Sequence, residues 1–216
     1  MGKIRTGVMG GTFDPIHNGH LFLALEALYV ADLDRVLFIP NRVPPHKAAP
    51  GVGSEQRWSM LLAAIAPEPK LEASRMELER EGPSYTLDTV EELSAKNDLV
   101  FICGADAFRT KWHRPDAVLE RLDTLLMAHR HGVSSELPPI LAELPETSRA
   151  KIRHLDFPDI AISSTEIRQR VAQGRPFRYL VPDAVHRYIT EQKLYLTPAS
   201  GEGAQGSDEK GPKLGN

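Results

Sequence analysis

Near its start the chain runs from an apolar strand-like stretch directly into a glycine pair and then a helix, and this junction limits the folds open to it. Residues 3–9 read as a strand, Gly10 to Pro15 as a tight turn, and residues 18–31 as a helix with Leu21, Leu25, Leu28 and Ala31 on one face. The alternation continues along the chain. RVLFIP (35–40) is a short apolar strand, 54–66 and 86–96 are helices, LVFICG (99–104) and TLLMAH (124–129) are strands, and helices follow at 164–172 and 182–192. Strands separated by helices pair in parallel through right-handed crossovers. The pattern predicts an α/β fold: one doubly wound, Rossmann-like domain over residues 1–197, with helices on both faces of a parallel sheet. From Pro198 the chain is rich in glycine, serine and charge, so residues 198–216 are expected to form a disordered tail.

Composition narrows the function by exclusion. A net charge of -3 leaves no basic footprint for nucleic acid. The single cysteine, Cys103, rules out an intrachain disulfide and a cysteine-rich metal site. No apolar run approaches the ~18 residues of a membrane span, and MGKIRTGVMGG lacks the apolar core of a secretory signal. Gly2 and Thr6 fit the loose myristoylation pattern, but these residues read better as the approach to the first strand. A cytoplasmic chain with neither nucleic-acid nor membrane partners is expected. Nothing in the sequence selects between a monomer and a homo-oligomer.

Two segments carry chemistry. In GGTFDPIHNGH, Gly10 and Gly11 let the backbone turn sharply and approach a ligand, and the helix opening near Asn18 offers free N–H groups and a positive dipole end to a phosphate. His17 and His20, three residues apart, project from one side of the first turn. Each part has a plainer explanation: a turn, a structural histidine, or a zinc pair lacking its third ligand. The whole string favours phosphate. Neither GxxxxGK[ST] nor GxGxxG is present. In ISSTEIR (162–168), Ser163 and Glu166 have the form of a capping box. That leaves Arg168 unexplained, since an arginine near a helix start needs an anion beside it. Ser164, Thr165, the helix N–H groups and Arg168 suit a triphosphate.

GGTFDPIHNGH resembles the signature of the nucleotidyltransferase superfamily, and ISSTEIR resembles its second signature, which grips the β- and γ-phosphates. PNRVPPHK (40–47), GPSYTLDTVEEL (82–93) and GADAFRTKWH (104–113) resemble the bacterial nicotinate mononucleotide adenylyltransferases within it. The resemblance spans about residues 3–196. It departs from the family at His113, where many relatives carry an aromatic residue, and at Asn18, often tyrosine.

The resemblance implies transfer of the adenylyl group of ATP to nicotinate mononucleotide, with Mg²⁺ arriving on ATP. It implies His17, His20 and Arg168 as catalytic residues. Gly10, Gly11, Thr12, Phe13, Gly104, Asp106, Ser163, Ser164 and Thr165 would bind ATP. Asn41, His46, Lys47, Tyr85, Thr86, Trp112 and His113 would bind the mononucleotide, the N–H groups at Thr86 receiving its carboxylate and Trp112 stacking on its ring. No protein metal ligand is expected. A sister enzyme using nicotinamide mononucleotide or another phosphorylated acceptor, and a catalytically silent nucleotide sensor, are the alternatives.

Overall fold

The computed structural model describes residues 3–42, 51–104, 112–130, 136–158 and 160–196. Six parallel strands form one sheet: β1 (Ile4–Gly11), β2 (Arg35–Pro40), β3 (Leu71–Ala73), β4 (Asn97–Gly104), β5 (Thr124–Arg130) and β6 (Ile152–Phe157). Their order is β3-β2-β1-β4-β5-β6, which is the doubly wound topology. The winding reverses between β1 and β4, so a crevice opens at the carboxyl ends of those two strands. The glycine pair ends β1 there.

Side chains along a strand alternate between faces, and a sheet covered on both sides makes each strand apolar throughout. Val36 and Phe38 pack in one core while Leu37 and Ile39 enter the other; Val100 and Ile102 alternate in the same way with Leu99, Phe101 and Cys103. The first core is closed by α1 (Asn18–Val30), α2 (Ser54–Ile65), α8 (Ser164–Ala172) and α9 (Asp183–Glu191). The second is closed by α4 (Thr86–Ser94), α5 (Pro115–Arg121) and α6 (Pro139–Ala142). Short helices α3 (Met76–Glu79) and α7 (Glu146–Arg149) and a 3-10 turn at Arg178–Leu180 complete the set among the described residues. No described helix is long and apolar enough to cross a membrane.

The sequence pattern differs from the structure on α1 and at the sheet edges. On α1 the fully buried residues are Ala24 and Ala27, while Leu25 is 42% exposed. Leu21 and Leu28 are half-buried beside the alanines. Small residues let the helix axis lie close to the sheet, so Ala24 and Ala27 centre the inner face, with Ala31 buried and Leu21 and Leu28 packed beside them. Strands β3 and β6 lie at the two edges, where a three-residue strand and the polar string IRHLDF give no apolar run to read. The 198–216 segment lies outside the described residues.

The tightest point of the sheet is Gly7. A Cβ there would lie 2.7 Å from Leu33 Cδ1, 2.8 Å from Ile102 Cδ1 and 3.0 Å from Val36 Cγ2. Gly7→Ala should therefore cost about 1–3 kcal/mol through overpacking. Chemical denaturation checks this, and an unchanged midpoint would show that the neighbours yield freely.

Candidate active site

The turn after β1 is built by two rings and one buried arginine. A Cβ on Gly11 would meet the Phe13 ring at 3.0 Å, so this position is held for glycine. Phe13 itself adopts φ 50, a left-handed conformation uncommon for a bulky residue. Its ring is buried and stands edge-on to His20 at 5.2 Å and to Phe38 at 5.6 Å. Phe13 thus shows a ligand only its backbone, and its side chain braces His20. The Asp14–Pro15 peptide that follows is cis. From α2, Arg57 donates to the Thr12 carbonyl at 2.7 Å and to the Asn41 carbonyl at 2.8 Å.

His17 is the N-cap of α1 and His20 its third residue. Their rings stack at 3.6 Å with planes 20° apart. The His17 N–H donates to His20 Nδ1 at 3.3 Å, so a neutral His20 carries its proton on Nε2. Gly19 makes the stack possible, because a Cβ there would lie 3.1 Å from His17 Nδ1. Burial lowers the His17 pKa from 6.5 to about 4. The ring is therefore neutral near pH 7, which also spares the stack a like-charge pair.

The second signature meets the first directly. Ser164 Oγ donates to the Pro15 carbonyl at 2.8 Å, and Arg168 Nη1 donates to the Asp14 carbonyl at 2.7 Å. Segments some 150 residues apart in sequence thus share one surface. Ser163 caps α8, accepting from the Glu166 N–H at 3.1 Å. The capping box is only half formed, because the Glu166 carboxylate pairs with Arg170 at 2.8 Å instead. Thr165 Oγ1 accepts from Arg168 Nη2 at 3.3 Å. With the hydroxyls and the Glu166 N–H engaged, α8 presents the N–H groups of Ser164 and Thr165, which no helix satisfies internally. The anion that the Arg168 position demanded is supplied by the protein: Asp14 Oδ2 lies 3.7 Å away.

Asp14 is the residue that sequence reasoning missed. Its carboxylate is 3% exposed and accepts from Tyr195 Oη at 2.7 Å and from the Gly51 N–H at 2.6 Å. Arg57 and Tyr195 were missed with it, since an arginine inside a helix and a tyrosine past the last helix carry no local signal.

A second cluster lies across β4, which ends at Gly104. Phe101 connects the two: a Cβ on Gly10 would lie 4.0 Å from its Cζ, and Trp112 stands edge-on to its ring at 5.5 Å. Trp112 is half-buried against the second core. Tyr85 and His113 approach at 5.1 Å between ring centres. Tyr85, not Thr86, is the N-cap of α4, and no side chain caps this helix. Its first N–H groups are left for another acceptor. Behind α4, burial raises the pKa of Glu77, although the Thr89 hydroxyl donates to it at 2.7 Å. His46, Lys47 and Asp106 lie outside the described residues. Among the described residues, no group of three or more His, Cys, Asp or Glu side chains could hold a metal ion. Thr12 Oγ1, His17 Nδ1 and Asn41 Oδ1 are buried without a hydrogen-bond partner. Buried polar atoms are nearly always paired, so three orphans at one end of the sheet mark a surface built for a ligand.

The His17 shift makes stability depend on pH with a defined sign. Between pH 6.5 and about 4 the unfolded chain binds a proton at this site and the folded chain does not. The associated stabilisation is complete above 6.5 and is lost as the pH falls towards 4, by on the order of 3 kcal/mol. Across that window the melting temperature of His17→Asn should fall less steeply than that of the parent protein. Parallel curves would mean that His17 titrates normally in the fold.

The Cytidylyltransferase-like family model matches residues 8–170. A protein of Geobacillus thermodenitrificans named a probable nicotinate-nucleotide adenylyltransferase is 44% identical over 201 residues, covering 90% of this chain and 87% of its own. One of that name from Thermus thermophilus is 43% identical over 197 residues, covering 89% of this chain and 100% of its own. Among solved structures, the Plasmodium falciparum nicotinic acid mononucleotide adenylyltransferase complexed with NaAD matches with a TM-score of 0.66 at 18% identity, over 89% of this chain and 97% of that one. That last likeness speaks for the fold. The sequence matches go further: the chain belongs to the cytidylyltransferase-like family and, within it, to the nicotinate-nucleotide adenylyltransferases.

Proposed function

We propose that the protein transfers the adenylyl group of ATP to nicotinate mononucleotide, giving nicotinate adenine dinucleotide and pyrophosphate. The observation that carries this reading is the junction of the two signatures. The stacked His17–His20 pair and the opening turn of α8 face one crevice, joined by Ser164 to Pro15 and Arg168 to Asp14. The names of the relatives agree with it.

An oxygen of the mononucleotide 5′-phosphate attacks the α-phosphorus of ATP. The bond from that phosphorus to the bridging oxygen breaks, and pyrophosphate leaves with its electrons. A phosphate monoester, with a second pKa of about 6, is largely dianionic near neutrality. No protein base is needed, and catalysis consists of alignment and charge stabilisation. His20, with its proton on Nε2, donates to the α-phosphate as negative charge builds there. The N–H groups opening α8, with Arg168, receive the departing pyrophosphate. Mg²⁺ carried on the ATP substrate would supply further charge neutralisation on the phosphates. The uncapped N-terminus of α4 receives the pyridine carboxylate, beside Tyr85, Trp112 and His113. An amide there would turn an NH₂ towards donors, which such a site rejects. The reaction belongs in the cytoplasm, a placement consistent with a single, buried cysteine, Cys103, that forms no disulfide.

Dinucleotide formation from ATP should show a kcat/KM higher for nicotinate mononucleotide than for nicotinamide mononucleotide. His20→Ala should lower kcat by roughly 10²–10³, the loss typical of one preorganised donor. Equal efficiency with both acceptors would remove the acid-specific assignment. A near-normal kcat in His20→Ala would make the histidine pair structural, and no product with either acceptor would sink the reaction itself.

A further inference from the structure

Arg57 lies on α2, outside both signatures, yet its side chain is 1% exposed and enters the site from beneath. A guanidinium taken out of water needs strong acceptors. Here the acceptors are two backbone carbonyls from different loops: Thr12 at 2.7 Å through Nη1, and Asn41 at 2.8 Å through Nη2. Thr12 follows β1 and Asn41 follows β2, neighbouring strands in register at Gly11 and Pro40. One planar group therefore spans the exits of both strands. Both residues also carry buried side-chain oxygens without partners, Thr12 Oγ1 and Asn41 Oδ1, so the fork holds by the backbone the segments whose side chains await a ligand. Asp14, on the same turn, balances its charge.

We propose that Arg57 is a positioning residue that fixes the spacing between the ATP-binding turn and the loop carrying Asn41, and so sets the approach of the attacking phosphate to the α-phosphorus. This inference rests on the adenylyl-transfer reading. The two carbonyls are held by the two ends of one rigid fork, so neither loop moves without the other. A lysine keeps the charge but not the fork, because a point donor cannot reproduce two fixed directions. Displacement of reacting groups by about 1 Å is enough to slow a reaction on the order of 10²-fold.

The test compares Arg57→Lys and Arg57→Met with the parent protein. Folded fraction is followed by circular dichroism, and equilibrium binding of ATP alone and of nicotinate mononucleotide alone is measured beside steady-state kinetics. In folded Arg57→Lys, kcat per folded molecule should fall at least 30-fold while each separate dissociation constant changes less than about threefold, the pattern of lost alignment. A kcat within threefold of the parent overturns the proposal. So does a loss explained entirely by weaker binding of one substrate. If Arg57→Met fails to fold, Arg57→Lys decides; if that variant also fails, Arg57 serves the fold alone and the positioning role is overturned. Failure of the reaction assignment is read separately, as an inactive parent protein.

Discussion

A carboxylate moved out of water costs several kcal/mol unless other groups replace its hydration. Asp14 is in that position, and the way its demands are met organises the site. Its two oxygens receive a hydroxyl from Tyr195, beyond the last helix, and an N–H from Gly51, ahead of α2. Arg168 reaches in from α8, to the carbonyl and towards the carboxylate. Three parts of the chain distant in sequence thus converge on the turn after β1. Removing any one of them would leave a buried charge short of a partner, which is worse than never burying it. Gly51 shows how little room remains, since a Cβ there would crowd Asp14, Arg168 and Tyr195 together at 3.1–3.3 Å.

With the turn fixed, the histidine pair follows from the glycine between them. Gly19 admits the His17 ring over the first turn of α1, and the ring then stacks on His20 and shields the bond that sets the His20 tautomer. Phe13 closes the other side of His20. The same burial that holds the rings in place holds His17 neutral. Orientation and protonation state are two results of one packing arrangement, so a change at Gly19 or Phe13 would disturb both.

The sheet and the two signatures were legible because each rests on a local rule. Apolar runs such as RVLFIP read directly as strands, and a Ser-x-x-Glu string reads as a helix start. Edge strands were not legible: β6 is polar enough to pass for a loop, and only its pairing with β5 makes it a strand. On α1 the predicted face holds at Leu21, Leu28 and Ala31 and fails at Leu25, because the sheet selects Ala24 and Ala27 for close approach. In the site, the roles of Asp14, Arg57 and Tyr195 depend on contacts across 16 to 181 residues. No spacing rule encodes such contacts. The seryl and threonyl hydroxyls of ISSTEIR illustrate the converse: the motif was visible, but its hydroxyls turn inwards to Pro15, Glu166 and Arg168.

That inward turn bears on how the site handles charge. Among the described residues, His17 is neutral, Arg168 lies 3.7 Å from Asp14, whose charge also offsets that of Arg57, and the α8 hydroxyls are occupied, so these side chains contribute little net positive field to the crevice. The first-turn N–H groups of α1, α8 and α4 at the carboxyl end of the sheet add to it. Such dipoles are fixed before any ligand arrives and need no reorganisation as charge moves from one phosphate to the next. They also favour anions without the desolvation cost of an unpaired cation.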